Sequence, residues 1–185
     1  PGSTLFPPRR LFRSGDLSAG PDGIATLRLG ANSERVVTLT ERRLDSLKEV
    51  LHRLKSDTET QGLIVTGPGA EMFAAGADIS LIQSITDVAE GERAATKGQT
   101  IFGMFQELDI PVVGAIEGPC LGGGLEMALC FDVRVASDDP STLIGLPEVK
   151  LGIVPGAGTA PGRGLLEVPG AGATKPAPKA PGAQR

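Results

Sequence analysis

The sequence predicts an α/β domain with a largely buried sheet. Short apolar segments with strand character alternate with amphipathic helical segments, an order typical of sheets that are covered by helices. The 185 residues suffice for one domain with a hydrophobic core. We expect a flexible N-terminal segment over residues 1–20, a core over 21–158 and a disordered tail over 159–185.

The first predicted elements of the core are a strand and a helix. Ile24–Leu29 alternates apolar and polar residues after a Pro-Asp-Gly turn, which is typical of a strand. Over residues 41–55, leucines recur at spacings of three and four, which predicts an amphipathic helix with Thr40 as its N-cap. His52 lies off this leucine stripe, so we expect it to face solvent rather than take part in catalysis.

The later elements follow from the same two periodicities. Apolar runs of four to six residues predict strands, and longer amphipathic segments predict helices. In chain order these are a strand over Gly62–Thr66, a short strand or loop over Met72–Ala75, helices over Ile79–Ile85 and Arg93–Leu108, and strands over Pro111–Ile116 and Asp132–Ala136.

Both ends of the chain differ from the core in composition. Residues 3–15 contain three arginines, two serines and no acid, which favours a disordered basic start over an organelle transit peptide. Of the 27 residues in 159–185, five are Gly, five are Pro and six are Ala. Because no helical or strand periodicity survives there, we predict that this tail is disordered.

Composition excludes several functional classes. The net charge of −4 and the 3% aromatic content argue against a nucleic-acid partner, and no apolar run approaches the ~18 residues of a membrane span. One histidine and two dispersed cysteines are too few soft ligands for a zinc site. Cys120 and Cys130 have apolar neighbours, so we expect two buried thiols and a reducing, intracellular compartment. Dinucleotide, phosphate-loop and nucleophile-elbow motifs are absent from the sequence.

Glu126 is an acid within the otherwise apolar run Gly122–Cys130. The run predicts a glycine turn that opens a short buried helix, where an unpaired charge would cost several kcal/mol. A carboxylate at such a place indicates a chemical role. The alternative is a glutamate at the helix start that faces solvent.

A second acid and two glycine-rich turns complete the candidate chemistry. Glu148 follows Pro147, whose ring fixes φ and favours a rigid bend, and it is also flanked by apolar residues. The turns at 73–78 and 122–124 lead into predicted helices, where free backbone N–H groups can hold a developing oxyanion. Two carboxyls beside such donors suit proton abstraction or addition next to a carbonyl. Otherwise the glycines serve packing and Glu148 forms a surface ion pair with Lys150.

At these residues the chain resembles the crotonase family, the enoyl-CoA hydratases and isomerases. Four motifs carry the resemblance in the order that the family has them. They are Met72–Ile79 (MFAAGADI), Ile110–Gly118 (IPVVGAIEG), Gly122–Leu129 (GGGLEMAL) and Leu146–Gly158 (LPEVKLGIVPGAG).

The resemblance implies a spiral of ββα units, assembled as a homo-trimer or hexamer. It implies that the Ala77 and Gly123 N–H groups form an oxyanion hole for an acyl thioester. Glu126 and Glu148 would be the catalytic pair, holding the water that adds across the α,β double bond of an enoyl-CoA.

Further residues are assigned to the substrate by the same resemblance. Ala75, Asp78 and Ile79 lie in the loop that contacts CoA, and Gly122 and Pro147 adjoin the catalytic pair. CoA is then part of the substrate, and no metal or other cofactor is expected. A cytoplasmic location is favoured, with the mitochondrial matrix as the alternative.

Three departures from the family pattern keep other functions open. Phe131 stands where a small residue is usual, and Val37 replaces a frequent Asn. After Gly158 the second glycine and the C-terminal helical region of the family are missing. The alternatives are therefore a truncated, non-catalytic crotonase-like protein and an isomerase that uses mainly Glu148.

Overall fold

The computed structural model describes residues 15–69, 71–77, 85–148, 155–156 and 165–167. Within these residues, a six-stranded sheet has the order β1-β2-β3-β4-β6-β8, and β5 and β7 form a small second sheet. The elements are β1 (Gly15–Ala19), β2 (Ile24–Leu29), α1 (Glu41–Ser56), β3 (Gly62–Thr66), α2 (Val88–Gln106), β4 (Val112–Ile116), β5 (Cys120–Leu121), α3 (Gly123–Ala128), β6 (Val133–Ala136), β7 (Ile144–Gly145) and β8 (Leu165–Glu167).

The large sheet is parallel except at one edge. β1 pairs antiparallel with β2, whereas the pairs β2–β3, β3–β4, β4–β6 and β6–β8 are parallel. Parallel neighbours need a crossover connection, and α1 and α2 lie in the crossovers from β2 to β3 and from β3 to β4. The buried α/β sheet expected from the alternating pattern is confirmed.

Helix α1 matches its prediction closely because its local signals are strong. The Thr40 hydroxyl accepts a hydrogen bond from the Arg43 N–H at 3.4 Å, so the predicted N-cap is confirmed. Leu47, Leu51 and Leu54 are buried, and His52 faces solvent as expected. The periodicity therefore located both the buried and the exposed face of this helix.

Helix α2 begins five residues earlier than the sequence predicts. Asp87 is its N-cap and accepts the Ala89 N–H at 2.9 Å. The first turn, Val88–Glu92, lies mostly exposed, and Val88 keeps 87% of its surface in solvent. Because this turn buries little apolar surface, it has no hydrophobic periodicity from which its helical state could be predicted.

Two strands lie within the chain ends that we expected to be flexible or disordered. β1 lies within the segment 1–20 that we expected to be flexible, and it forms a hairpin with β2 in which the Gly20 N–H donates to the Ile24 carbonyl at 2.8 Å. β8 lies within the predicted tail and pairs with β6, with Leu165 opposite Val133. Both exceptions arise because a sheet edge offers unpaired backbone groups to any adjacent extended segment. The boundaries of the flexible segment and the tail stay predictions.

The core accommodates Phe131, one of the departures from the family pattern. Its ring is 1% exposed and meets Phe105 edge to face, with centroids 4.8 Å apart. Gly114 of β4 leaves room for it, since a Cβ there would lie 2.8 Å from Phe131 Cδ2. A large residue at 131 is thus matched by an absent side chain at 114.

In the parts of the chain described here, no helix has the length and apolar character needed to cross a membrane.

Candidate active site

The site is organised around Gly122, the residue before α3. Its backbone angles are φ 55° and ψ −131°, a conformation that residues with a Cβ rarely adopt. The Gly122 N–H donates to the Gly145 carbonyl of β7 at 2.9 Å, and its own carbonyl accepts the N–H groups of Leu125 and Glu126 at 2.8 and 3.0 Å. The turn is therefore held on both sides, by β7 and by the first turn of α3.

Glu126 lies on α3 and is only 3% exposed, so the expected burial is confirmed and the solvent-facing alternative is wrong. Its carbonyl oxygen accepts a weak hydrogen bond from the Cys130 thiol at 3.6 Å. Burial, followed by the nearby Glu126 carboxylate, raises the pKa of Cys130 above its ordinary value. An anionic thiolate beside this acid is thus disfavoured.

Arg134 contacts the C-terminal end of α3. This residue was not among those predicted from the sequence. Arg134 is 5% exposed, and its Nη1 donates to the carbonyls of Ala128 and Phe131 at 3.2 and 3.0 Å. Burial lowers the pKa of its guanidinium. The Ala128 carbonyl at the end of α3 also accepts the Phe131 N–H at 3.2 Å, so Arg134 adds a second donor there and supplies one to the Phe131 carbonyl. The available signal was a cation within the otherwise apolar strand β6.

Pro147 and Glu148 are in 3₁₀-helical conformation, and both residues are half-buried. A Cβ on Gly122 would lie 2.6 Å from Glu148 Oε1, so this carboxylate packs directly against the turn before α3. Its Oε2 is buried and has no hydrogen-bond partner among the described residues. Lys150, the alternative ion-pair partner, lies outside those residues.

The structure brings both acids to the Gly122 turn. Glu148 contacts this turn through its carboxylate, and Glu126 follows it by one helical turn and bonds to the Gly122 carbonyl through its N–H. The acids are 22 residues apart in the sequence and come from different elements. Their shared contact depends on the β5–β7 pairing, which places the segment after β7 beside the start of α3.

The two predicted oxyanion-hole residues also adjoin each other. A Cβ on Gly123 would lie 3.6 Å from the Ala77 nitrogen, and a Cβ on Gly76 would lie 2.9 Å from the Gly123 nitrogen. Gly76 has φ +87°, another conformation that favours glycine. Among the described residues, neither the Ala77 nor the Gly123 N–H has an acceptor. Two neighbouring donors of this kind can stabilise an oxyanion, and this role stays a prediction.

The loop that contains Ala77 is tied to its surroundings by backbone hydrogen bonds. The half-buried Ala75 donates to the Val37 carbonyl at 2.8 Å, and the Leu39 N–H donates to the Gly76 carbonyl at 2.8 Å. Val37 is fully buried and contributes its carbonyl here, so its contact does not require the Asn that is frequent at this position. Asp78 and Ile79, which we expected to contact CoA, lie outside the described residues.

A separate surface cleft of about 580 Å³ lies between α1 and α2. Charged residues of both signs line it, and Lys97 within it pairs with Asp45 at 2.8 Å. None of the predicted site residues lines this cleft. Within the described parts of the chain, no cluster of three or more His, Cys, Asp or Glu side chains could hold a metal ion.

Comparison with known proteins identifies the family of the chain. The model of the family described as enoyl-CoA hydratase/isomerase matches residues 20–162. The alpha subunit of the fatty acid oxidation complex of Vibrio vulnificus is 42% identical over 143 residues, which are 77% of this chain and 20% of that protein. Its counterpart from Shewanella frigidimarina is 41% identical with the same coverage. The chain thus spans about a fifth of the length of these curated relatives.

Among solved structures, the enoyl-CoA hydratase of Bacillus anthracis is 29% identical to this chain. The two superpose with a TM-score of 0.70 over 78% of this chain and 54% of that one. The crotonase-like α/β fold that the four motifs predict is therefore confirmed. The family match covers well over half of the sequence, and the chain belongs to the enoyl-CoA hydratase/isomerase family.

Proposed function

We propose that the protein is an enoyl-CoA hydratase, which adds water across the α,β double bond of an enoyl-CoA thioester. The observation that carries the proposal is the buried Oε2 of Glu148, which has no hydrogen-bond partner among the described residues although its carboxylate packs against the Gly122 turn. A buried acceptor of this kind fits a site that a water molecule or substrate completes. The family membership supports the same chemistry.

In the proposed reaction the thioester carbonyl accepts hydrogen bonds from the Ala77 and Gly123 N–H groups. Glu126 helps to activate a water molecule, whose oxygen bonds to C3 while the π electrons of the double bond move into a thioester enolate. Glu148 delivers a proton to C2, and the proton that the water loses returns the acid pair to its starting state. The two amides stabilise the enolate because they are fixed before its charge develops.

Two alternatives differ in what they require of the acids. An isomerase would shift the double bond of a 3-enoyl-CoA by moving protons mainly through Glu148. Glu126 lies one helical turn from Gly122 and is only 3% exposed. Because burying a carboxylate costs free energy, its presence here favours the two-acid reaction. A non-catalytic crotonase-like protein would need neither acid.

The test is the hydration of crotonyl-CoA, followed by the loss of enoyl absorbance. Glu126→Gln and Glu148→Gln should each lower kcat by about 10²–10⁴-fold, the usual contribution of a general acid or base. Glu107→Gln is the matched control, because Glu107 is an exposed acid paired with Lys55, and it should leave kcat unchanged. Hydration that survives both active-site substitutions would refute the mechanism.

A second substrate separates the alternatives. Conversion of a 3-enoyl-CoA without formation of the 3-hydroxyacyl product would identify an isomerase. A folded protein that turns over neither substrate would be the non-catalytic form.

The context of the reaction is also part of the proposal. We propose a homo-trimeric or hexameric assembly and a cytoplasmic location, and the bacterial origin of the matched relatives supports this location over the mitochondrial matrix.

A further inference from the structure

An ion pair joins the segment between β2 and α1 to the first turn of α1. The Glu34 carboxylate pairs with the Arg43 guanidinium, and Glu34 Oε2 also accepts the Ala31 N–H at 2.7 Å. The Arg43 side chain is only 14% exposed. Burial alone would raise the pKa of Glu34, but the Ala31 N–H and Arg43 outweigh it and lower that pKa. The pair is thus ionised and fixed at neutral pH.

Arg43 uses its other terminal nitrogen to hold the backbone. Its Nη1 donates to the Thr38 carbonyl at 2.6 Å, so one guanidinium joins the Glu34 carboxylate to the middle of segment 37–39. An arginine can do this because its planar fork presents several donors in fixed directions. The Arg43 side chain therefore adds a link between this segment and the first turn of α1, beside the Thr40 N–H, which donates to the same carbonyl at 3.1 Å.

Segment 37–39 in turn holds the loop of the oxyanion donors. On one side of Thr38, the Val37 carbonyl accepts the Ala75 N–H, and on the other the Leu39 N–H donates to the Gly76 carbonyl, both at 2.8 Å. Gly76 immediately precedes Ala77. Leu39 also reaches α3, since its Cδ1 lies 3.6 Å from the position of a Cβ on Gly123. One short segment therefore bonds to the carbonyl of the Gly76–Ala77 peptide unit and places the Leu39 side chain beside Gly123.

We propose that Arg43 and Glu34 are positioning residues for the oxyanion hole, acting through segment 37–39 on the Ala77 and Gly123 N–H groups. This inference rests on the proposed hydratase function. The connection is continuous, from the ion pair to Thr38, from its neighbours to Gly76, and from Gly76 to Ala77. A donor that is displaced by about 1 Å can cost on the order of 10²-fold in rate, so a support of this kind acts on kcat.

Hydrogen exchange tests whether Arg43 holds segment 37–39 in place, and it requires no catalytic turnover. Arg43→Met should speed exchange of the Leu39 and Ala75 amides by about tenfold or more, because the bonds that protect them open locally. Lys55→Met is the control: it breaks the Lys55–Glu107 ion pair at the other end of α1 and should leave both amides protected.

Steady-state kinetics test whether Arg43 affects catalysis through the oxyanion hole. Arg43→Met should lower kcat about 10- to 100-fold and change KM by less than about threefold, because the oxyanion hole acts mainly on the transition state. Arg43→Lys should recover part of kcat, since an ammonium can hold one of the two partners. Val50→Ala removes buried core volume two turns further along α1, and it should lower stability without this selective loss of kcat.

The outcomes separate this inference from the function on which it rests. If the wild-type protein does not hydrate crotonyl-CoA, the proposed function fails, and the exchange of Leu39 and Ala75 still decides whether Arg43 holds the loop. If the wild-type protein is active and Arg43→Met keeps either its kcat or its amide protection, the positioning role is wrong. Should Arg43→Met fail to fold, Glu34→Gln, which keeps the side-chain volume, takes its place with the same expectations.

Discussion

Replacing Gly122 with alanine tests the centre of the site in two ways at once. Its backbone lies at φ 55° and ψ −131°, and the added Cβ would lie 2.6 Å from Glu148 Oε1 and 3.4 Å from Glu148 Cδ. The backbone conformation is unfavourable for alanine, and the carboxylate of Glu148 must move. Gly122→Ala should therefore lower both stability and activity.

The two effects have different sizes because they have different causes. The strained backbone should cost about 1–3 kcal/mol of unfolding free energy. For a chain of this length, each kcal/mol lowers Tm by about 2–4 °C, so the expected fall is about 2–12 °C. The contact with Glu148 should add little to this, because the carboxylate is the mobile end of a side chain. Its displacement should instead lower kcat by on the order of 10²-fold.

Thermal unfolding followed by circular dichroism and the crotonyl-CoA assay measure the two effects. Gly103→Ala is the matched control, since Gly103 lies in α2 and, apart from its neighbours and the backbone of its own helix, no described atom lies within 4 Å of its added Cβ. This change should stabilise the helix by about 0.5–1 kcal/mol. Combining Gly122→Ala with Glu148→Gln should lower kcat little further than Glu148→Gln alone. A Gly122→Ala protein with wild-type Tm and kcat would show that the turn neither needs glycine nor positions Glu148.

Three further predictions concern buried or paired groups. Arg134→Met should lower the unfolding free energy by about 1–3 kcal/mol in urea, because it removes the side-chain donor to the Phe131 carbonyl and one of two donors to the Ala128 carbonyl, and an unchanged midpoint would contradict this role. Both thiols should resist a disulfide reagent at about pH 8 until the protein unfolds, since burial raises the pKa of Cys120 to about 12 and Cys130 is 4% exposed; rapid native reaction would oppose this. Because the pKa of Glu34 is lowered from its ordinary 4.5, its stabilisation is present above that value and is lost as pH falls through the lower folded value. The stability difference between wild type and Glu34→Gln should therefore shrink from about pH 6 to about pH 3, and a constant difference would refute the assignment.

The elements that could be predicted are those with strong local patterns. The leucine stripe and Thr40 cap of α1, the alternation of β2 and the apolar run of β3 each identify an element from neighbouring residues alone. The elements that were missed depend on a distant partner. β5 and β7 have two residues each and exist through their pairing with one another, and β1 exists through its hairpin with β2.

The same division applies to the candidate site. Glu126 stood out because an acid within an apolar run is costly to bury, and the structure confirms that it is buried. Arg134 and Arg43 did not stand out, because charged residues in a short strand or in the first turn of a helix are common. Their importance became visible only once the carbonyls that they hold were known.

The order of residues alone was enough to establish an α/β chain of the enoyl-CoA hydratase/isomerase family with two candidate acids, since periodicity, burial cost and motif order are properties of the chain itself. Folding adds the contact of Glu148 with Gly122, the neighbouring Ala77 and Gly123 amides and the Arg43–Glu34 ion pair. These contacts join residues from separate elements, and their geometry depends on parallel pairings across crossovers that no local pattern encodes.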